Sequence, residues 1–107
     1  MTVAALPKSD LLTGLREPGS LAGLSVSQNY PNPFAETSTI TVNLASGSTL
    51  ALEVFNLAGQ RIMFKDRGYV PAGTYYFHVS SAEFPAGIFF YTVKAGDSKV
   101  TRKMIVN

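Results

Sequence analysis

A chain of 107 residues, 46% hydrophobic and 15% charged, is long enough for one packed core and too apolar to stay disordered, so one small domain is expected. The absence of cysteine excludes a disulfide framework, a thiolate nucleophile and cysteine-ligated metal. A net charge of +2 falls short of the basic excess that would by itself point to nucleic acid or a membrane surface.

Residues 1–23 carry Pro7, Gly14, Pro18, Gly19, Ser20 and Gly23 among scattered leucines, with no sustained helical or strand period, and read as a linker. Ser9-Asp10-Leu11-Leu12 has the residues to cap one helical turn, which Gly14 then ends. Residues 1–8 lack a basic stretch followed by an apolar one, so no export signal is expected at this start. No apolar run approaches the ~20 residues of a membrane-crossing helix.

In Gln28-Asn29-Tyr30-Pro31-Asn32-Pro33-Phe34 the two prolines bias Tyr30 and Asn32 toward extended backbone. This predicts a rigid lead-in anchored to a core by Tyr30 and Phe34. From Leu24 onward, turn signals recur about every ten residues between runs rich in β-branched and aromatic side chains, the pattern of a sandwich of short antiparallel strands. In Ser38-Thr39-Ile40-Thr41-Val42-Asn43-Leu44 the aliphatic residues share one face. Leu50, Leu52 and Val54 do the same with Glu53 opposite, and Asn56-Leu57-Ala58-Gly59 then closes a bulged hairpin with Gly59 at positive φ.

Residues 60–65 are expected to return with Ile62 and Phe64 inward. Asp66-Arg67-Gly68 and Val70-Pro71-Ala72-Gly73 then bracket a longer connection. Beyond it Tyr75, Phe77 and Val79 alternate with Tyr76, His78 and Ser80. Pro85-Ala86-Gly87 opens the most apolar run, with Phe89, Tyr91 and Val93 inward, and Ala95-Gly96-Asp97 turns into the closing strand. There Val100, Met104 and Val106 share a face with Arg102, the awkward member of an apolar set. Six or seven strands result.

The titratable inventory argues against catalysis. His78, the single histidine, reads as a strand-face residue, and no Gly-x-Ser-x-Gly elbow accompanies it. The carboxylates Asp10, Glu17, Glu36, Glu53, Asp66, Glu83 and Asp97 are scattered, with neither metal-ligand spacing nor a pairing visible in sequence. No catalytic, cofactor-binding or metal-ligating residue is therefore assigned. Of Tyr75, Tyr76, Phe89, Phe90 and Tyr91, most are explained by core packing more simply than by nucleic-acid stacking. One asymmetry stands out: Lys94, Lys99, Arg102 and Lys103 cluster near the end of the sequence, opposed only by Asp97. As a plain solvated face, these cations would keep an edge strand from pairing with other chains.

Asn29-Tyr30-Pro31-Asn32-Pro33-Phe34, Ser38-Thr39-Ile40, the run from Leu52 to Arg61, Pro85-Ala86-Gly87-Ile88-Phe89-Phe90-Tyr91, Lys94-Ala95-Gly96 and Thr101-Arg102-Lys103-Met104-Ile105-Val106 together resemble the type A C-terminal sorting domain of the type IX (Por) secretion system. The resemblance runs over residues 24–107, leaving residues 1–23 as a flexible linker from an upstream cargo domain. It implies an all-β, immunoglobulin-like antiparallel sandwich of about seven strands, borne by cargo proteins of Bacteroidota.

Such a domain directs a cargo already in the periplasm across the outer membrane to the cell surface or beyond, after which a sortase usually removes it and joins the cargo to surface lipopolysaccharide. The partners implied are the type IX translocon, its outer-membrane shuttle barrel, the sortase and the attached cargo, with neither nucleic acid nor direct membrane insertion expected. The family's recognition motif falls on Gly96, Lys99, Thr101, Arg102, Lys103, Met104, Ile105 and Val106. A terminal strand there could be gripped by edge pairing, with Arg102 and Lys103 adding charge-assisted contacts. Tyr30, Pro31, Asn32, Pro33 and Phe34 form a second family motif, with a structural role in placing the first strand. Cleavage is expected before Leu24, near Pro18-Gly19-Ser20 and Ala22-Gly23. A carbohydrate-binding or adhesive sandwich module, with Tyr69 and Tyr76 as stacking residues, is the alternative reading.

Overall fold

Strands whose apolar and polar residues alternate have one face that must be covered. In the computed structural model, which describes residues 20–21 and 23–107, two antiparallel four-stranded sheets cover each other. One has the order β1 (Ser20–Leu21), β2 (Leu24–Val26), β3 (Thr37–Leu44), β6 (Gly73–Ser80); the other runs β5 (Arg61–Val70), β4 (Ser48–Phe55), β7 (Gly87–Ala95), β8 (Ser98–Val106). This is the expected immunoglobulin-like β-sandwich, seven strands with the two-residue β1 added. The proposed helical turn at residues 9–12 and all but Ser20, Leu21 and Gly23 of the proposed linker lie outside the described residues; Ser20 and Leu21 pair with Ser25 and Leu24.

Ile40, Val42, Phe77 and Val79 of the first sheet meet Leu50, Leu52, Val54, Tyr91, Val93 and Met104 of the second in a core closed to solvent. Burial of side chains of this size contributes roughly 1.5–3 kcal/mol each. Ser80-Ser81-Ala82-Glu83 forms a capping box on a short 3-10 turn, with Ala82 N–H donating to Ser80 Oγ and Ser80 N–H to Glu83 Oε1. Phe84 then returns to the core and packs its ring 5.3 Å from that of Phe89.

The strand after Gly59 corrects the sequence reading. Gly59 takes φ 83° as expected, but a register shift between Val54 and Phe55 adds a residue to the opposing strand. Because side chains alternate with a period of two, one extra residue inverts the faces. Met63 therefore opposes Val54 and packs on the core, while Ile62 and Phe64 point to solvent. Nor is there a long connection after Lys65. A second irregularity between Leu50 and Ala51 is absorbed by Asp66, whose Oδ1 accepts from Gly68 N–H at 2.8 Å, and β5 continues to Val70.

With β5 inverted, Lys65 and Arg67 turn toward the seam between the sheets. Lys65 Nζ donates to His78 O at 2.9 Å; the Arg67 guanidinium donates to Tyr76 O and lies 4.5 Å from the centre of the Phe77 ring. At the opposite seam Arg102 accounts for its place among apolar neighbours, since its Nε donates to Val26 O at 3.1 Å and its Nη1 to Gln28 Oε1 at 3.2 Å. At both seams the β5–β4–β7–β8 sheet thus caps edge carbonyls of the other sheet with inward-facing cations, groups that would otherwise be open to a foreign strand.

Candidate functional site

Strand β8 pairs with β7 along its whole length, from Ser98 opposite Ala95 to Val106 opposite Gly87. The alternation of its side chains divides the eight residues expected from the sequence to serve recognition. Val100, Met104 and Val106 are buried, so Met104 and Val106 hold the strand to the core and are closed to any partner of the folded domain. Arg102 faces the seam. Lys99, Thr101, Lys103 and Ile105 share the outer face, the first three exposed and Ile105 half-buried, and Gly96 sits in the exposed β7–β8 turn with φ 59°.

The outer edge of β8 is the first place where the structure departs from the picture of a strand gripped from its side. Residues 28–34 lie along it. Gln28 Nε2 donates to Lys103 O at 2.6 Å, Ile105 N–H to Asn32 Oδ1 at 2.9 Å, Phe34 N–H to Ile105 O at 3.1 Å and Asn107 N–H to Phe34 O at 2.9 Å. From Lys103 O to Asn107 N–H the edge groups facing away from β7 are therefore occupied, and no foreign strand can pair there unless the segment leaves.

Phe34 is buried and anchors this cover, as anticipated, but Tyr30 does not. Its backbone bridges to Thr39 and its ring is 80% exposed. The anchor missed in the sequence is Asn29, buried, donating through Nδ2 to Ser38 Oγ at 2.9 Å and through its backbone N–H to Tyr91 Oη at 2.9 Å. The Tyr91 hydroxyl donates onward to Ser27 O at 2.7 Å. Burial pushes the Tyr91 phenol up to about 12, against the opposing pull of the Asn29 amide and of Arg102.

Outward from β8 the sheet presents three parallel rows. Lys103, Phe90 and Phe55 occupy one; Thr101, Thr92 and Glu53 the next; Lys99, Lys94 and Ala51 the third. Glu53 is 9% exposed and fixes cations on both sides, with Oε2 2.8 Å from Arg61 Nη1 and Oε1 3.7 Å from Lys94 Nζ. The Arg61 guanidinium also lies 4.8 Å from the centre of the Phe64 ring. Thr92 and Thr101 share a hydroxyl hydrogen bond of 2.7 Å. By contrast, the outer face of the other sheet carries Thr39, Thr41, Asn43, Thr74, Tyr76 and His78, with Thr39 Oγ1 3.0 Å from His78 Nδ1. Tyr69 and Tyr76 stand on different sheets and do not share a face. Among the described residues no group of His, Cys, Asp and Glu side chains is arranged to hold a metal, and no helix is long and apolar enough to cross a membrane.

A family model described as the secretion system C-terminal sorting domain matches residues 28–107, from the start of the edge cover to the end of β8. The chain belongs to this family of type IX sorting domains. No curated protein matches it. Sorting domains of this family are secretion signals and, in general, non-catalytic. Membership implies an N-terminally attached cargo, engagement with the type IX system and export across the outer membrane to the surface or the extracellular space.

The match begins at Gln28, so it takes in the 28–34 segment together with β8. The only hint of their contact in the sequence is a pair of polar residues, Gln28 and Asn32, in a segment otherwise suited to packing. Glu53 was legible as an outward carboxylate; its two cations were not, since Arg61 and Lys94 lie on separate strands.

Proposed function

We propose that this domain carries its cargo from the periplasm across the outer membrane by offering the outward side chains of β8 to the type IX translocon and its shuttle barrel. The supporting observation is the division of labour along β8. Met104 and Val106 lock the strand, the 28–34 segment covers its edge, and Lys99, Thr101, Lys103 and Ile105 remain displayed on a rigid surface. Recognition of the folded domain then runs through side chains on the sheet face, with Gly96 placing the hairpin turn. Met104, Val106 and the 30–34 motif serve by holding the display in place.

After translocation a sortase removes the domain on the N-terminal side of β2 and joins the cargo to surface lipopolysaccharide. The test is export of a fluorescent cargo fused ahead of the chain in a strain with a working type IX system. Lys103→Glu is expected to reduce surface signal about tenfold, as for reversal of a charge at a complementary contact, while the purified variant melts with the parent. Normal export of Lys103→Glu would remove β8 from the recognition surface.

A further inference from the structure

The seven basic residues within the described region fall into two groups. Lys65, Arg67 and Arg102 face the seams. Arg61, Lys94, Lys99 and Lys103 all stand on the outer face of the β5–β4–β7–β8 sheet, while the six residues named above on the opposite face carry no acid, lysine or arginine. Lys94 and Lys99 are directly opposed on β7 and β8, an arrangement in which like charges repel at a cost to the sheet. Glu53 sits 3.7 Å from Lys94, whereas Lys99 and Lys103 have no ion pair among the described residues. Asp66, engaged by Gly68 N–H, and Asp97 in the turn lie at the margins of the face. Glu53 relieves this repulsion on the Lys94 side only, and a like-charge pair left with an unmatched member points to an anion supplied from outside.

Between these cations lie Phe55 and Phe90, half-buried, with Ile88 exposed beside Ile105. An apolar centre with a charged surround is the anatomy of a protein interface. Phe55 and Phe90 are half-buried, and Phe64, the exposed ring of this face, has the Arg61 guanidinium 4.8 Å from its centre, so the face offers rings to lie against rather than uncharged side chains free to insert into a bilayer. Resting on the sorting reading above, we infer that the docking surface of this domain is the whole outer face of the sheet, including Arg61 and Lys94 held by Glu53, and that its occupant is a protein surface with acidic residues around an apolar patch. Glu53 acts as a positioning residue that spaces two of the four cations.

The test uses the full chain behind a fluorescent cargo, comparing wild type with Glu53→Gln/Arg61→Gln/Lys94→Gln, a triple change that removes the charges together and leaves no carboxylate stranded. The control, Thr41→Ala/Tyr76→Ala/His78→Ala, alters the opposite face. The inference predicts that the glutamine variant is exported about tenfold less than wild type, melts within a few degrees of it, and that the control is exported normally. Normal export of the glutamine variant, with Lys103→Glu still impaired, would confine recognition to β8 and overturn the inference while leaving the sorting reading intact. Failure of wild type itself in the competent strain would overturn both. Co-sedimentation of the purified chain with phosphatidylcholine–phosphatidylglycerol vesicles, lost in the glutamine variant, would assign the face to lipid and overturn the protein occupant. No sedimentation is expected.

Discussion

Tyr91 ties the core to the segment that leads into the cover, and its chemistry gives a pH signature. The folded domain holds its phenol up at about 12, from an ordinary value of 10.0, chiefly because the ring and hydroxyl are buried. A group whose folded pKa is raised contributes stability that is fully present below the unfolded value and is lost as pH climbs through the folded one. Denaturant midpoints should therefore fall between about pH 10 and pH 12. In Tyr91→Phe the stability at neutral pH should drop by about 1–3 kcal/mol, because Ser27 O and Asn29 N–H lose their partner, and this part of the alkaline decline should vanish. An equally steep decline in the variant would contradict the assignment. Phe34→Ala, which empties a buried site beneath the cover, should cost about 3–5 kcal/mol in chemical denaturation.

At the scale of elements, the cover on β8 makes a prediction of its own. Asn32 Oδ1 is the acceptor for Ile105 N–H, and Gln28 Nε2 the donor to Lys103 O. Gln28→Ala/Asn32→Ala should leave the fold standing but speed hydrogen exchange at the Ile105 amide and promote concentration-dependent self-association, since an uncovered edge is a template for another strand. Unchanged exchange at Ile105 would mean that the side chains do not hold the cover. These same elements show what the sequence reveals and what it hides. The inward faces of β3, β4, β7 and β8 are legible because Ile40, Val42 and Leu44, or Leu50, Leu52 and Val54, follow the two-residue period without interruption. Ile62 and Phe64 mislead because the phase of their strand is set by a bulge at Phe55, and an aliphatic-aromatic alternation reads the same in either phase. Tyr30 misleads for a similar reason, its bridge to Thr39 aiming the ring along the solvent side. Contacts such as Asn32 to Ile105 join residues far apart in sequence, and no local pattern announces them.

For the whole molecule, the distribution of charge matters more than its small sum. Three cations close the two seams of the sandwich and four share one outer face, so a chain of net charge +2 carries a concentrated basic surface on the sheet that ends in β8. The seam cations cap the edges of β6 and β2 and the 28–34 segment covers that of β8, which leaves the outer side chains of the sheet as the surface presented. The family match covers the cover and the face together. Arg102 belongs to the first group, which separates it from Lys103: Arg102→Gln should lower the melting temperature by loss of its bonds to Val26 O and Gln28 Oε1, whereas Lys103→Gln should not. A melting curve of each purified variant distinguishes them. The central claim is that this chain is a transferable sorting signal, and the most direct measurement is export of an inert, periplasm-targeted fluorescent protein bearing the chain at its C-terminus, compared between strains with and without a working type IX system. Signal on the surface or in the medium of the competent strain alone is the predicted result; retention in the periplasm of both strains would contradict it.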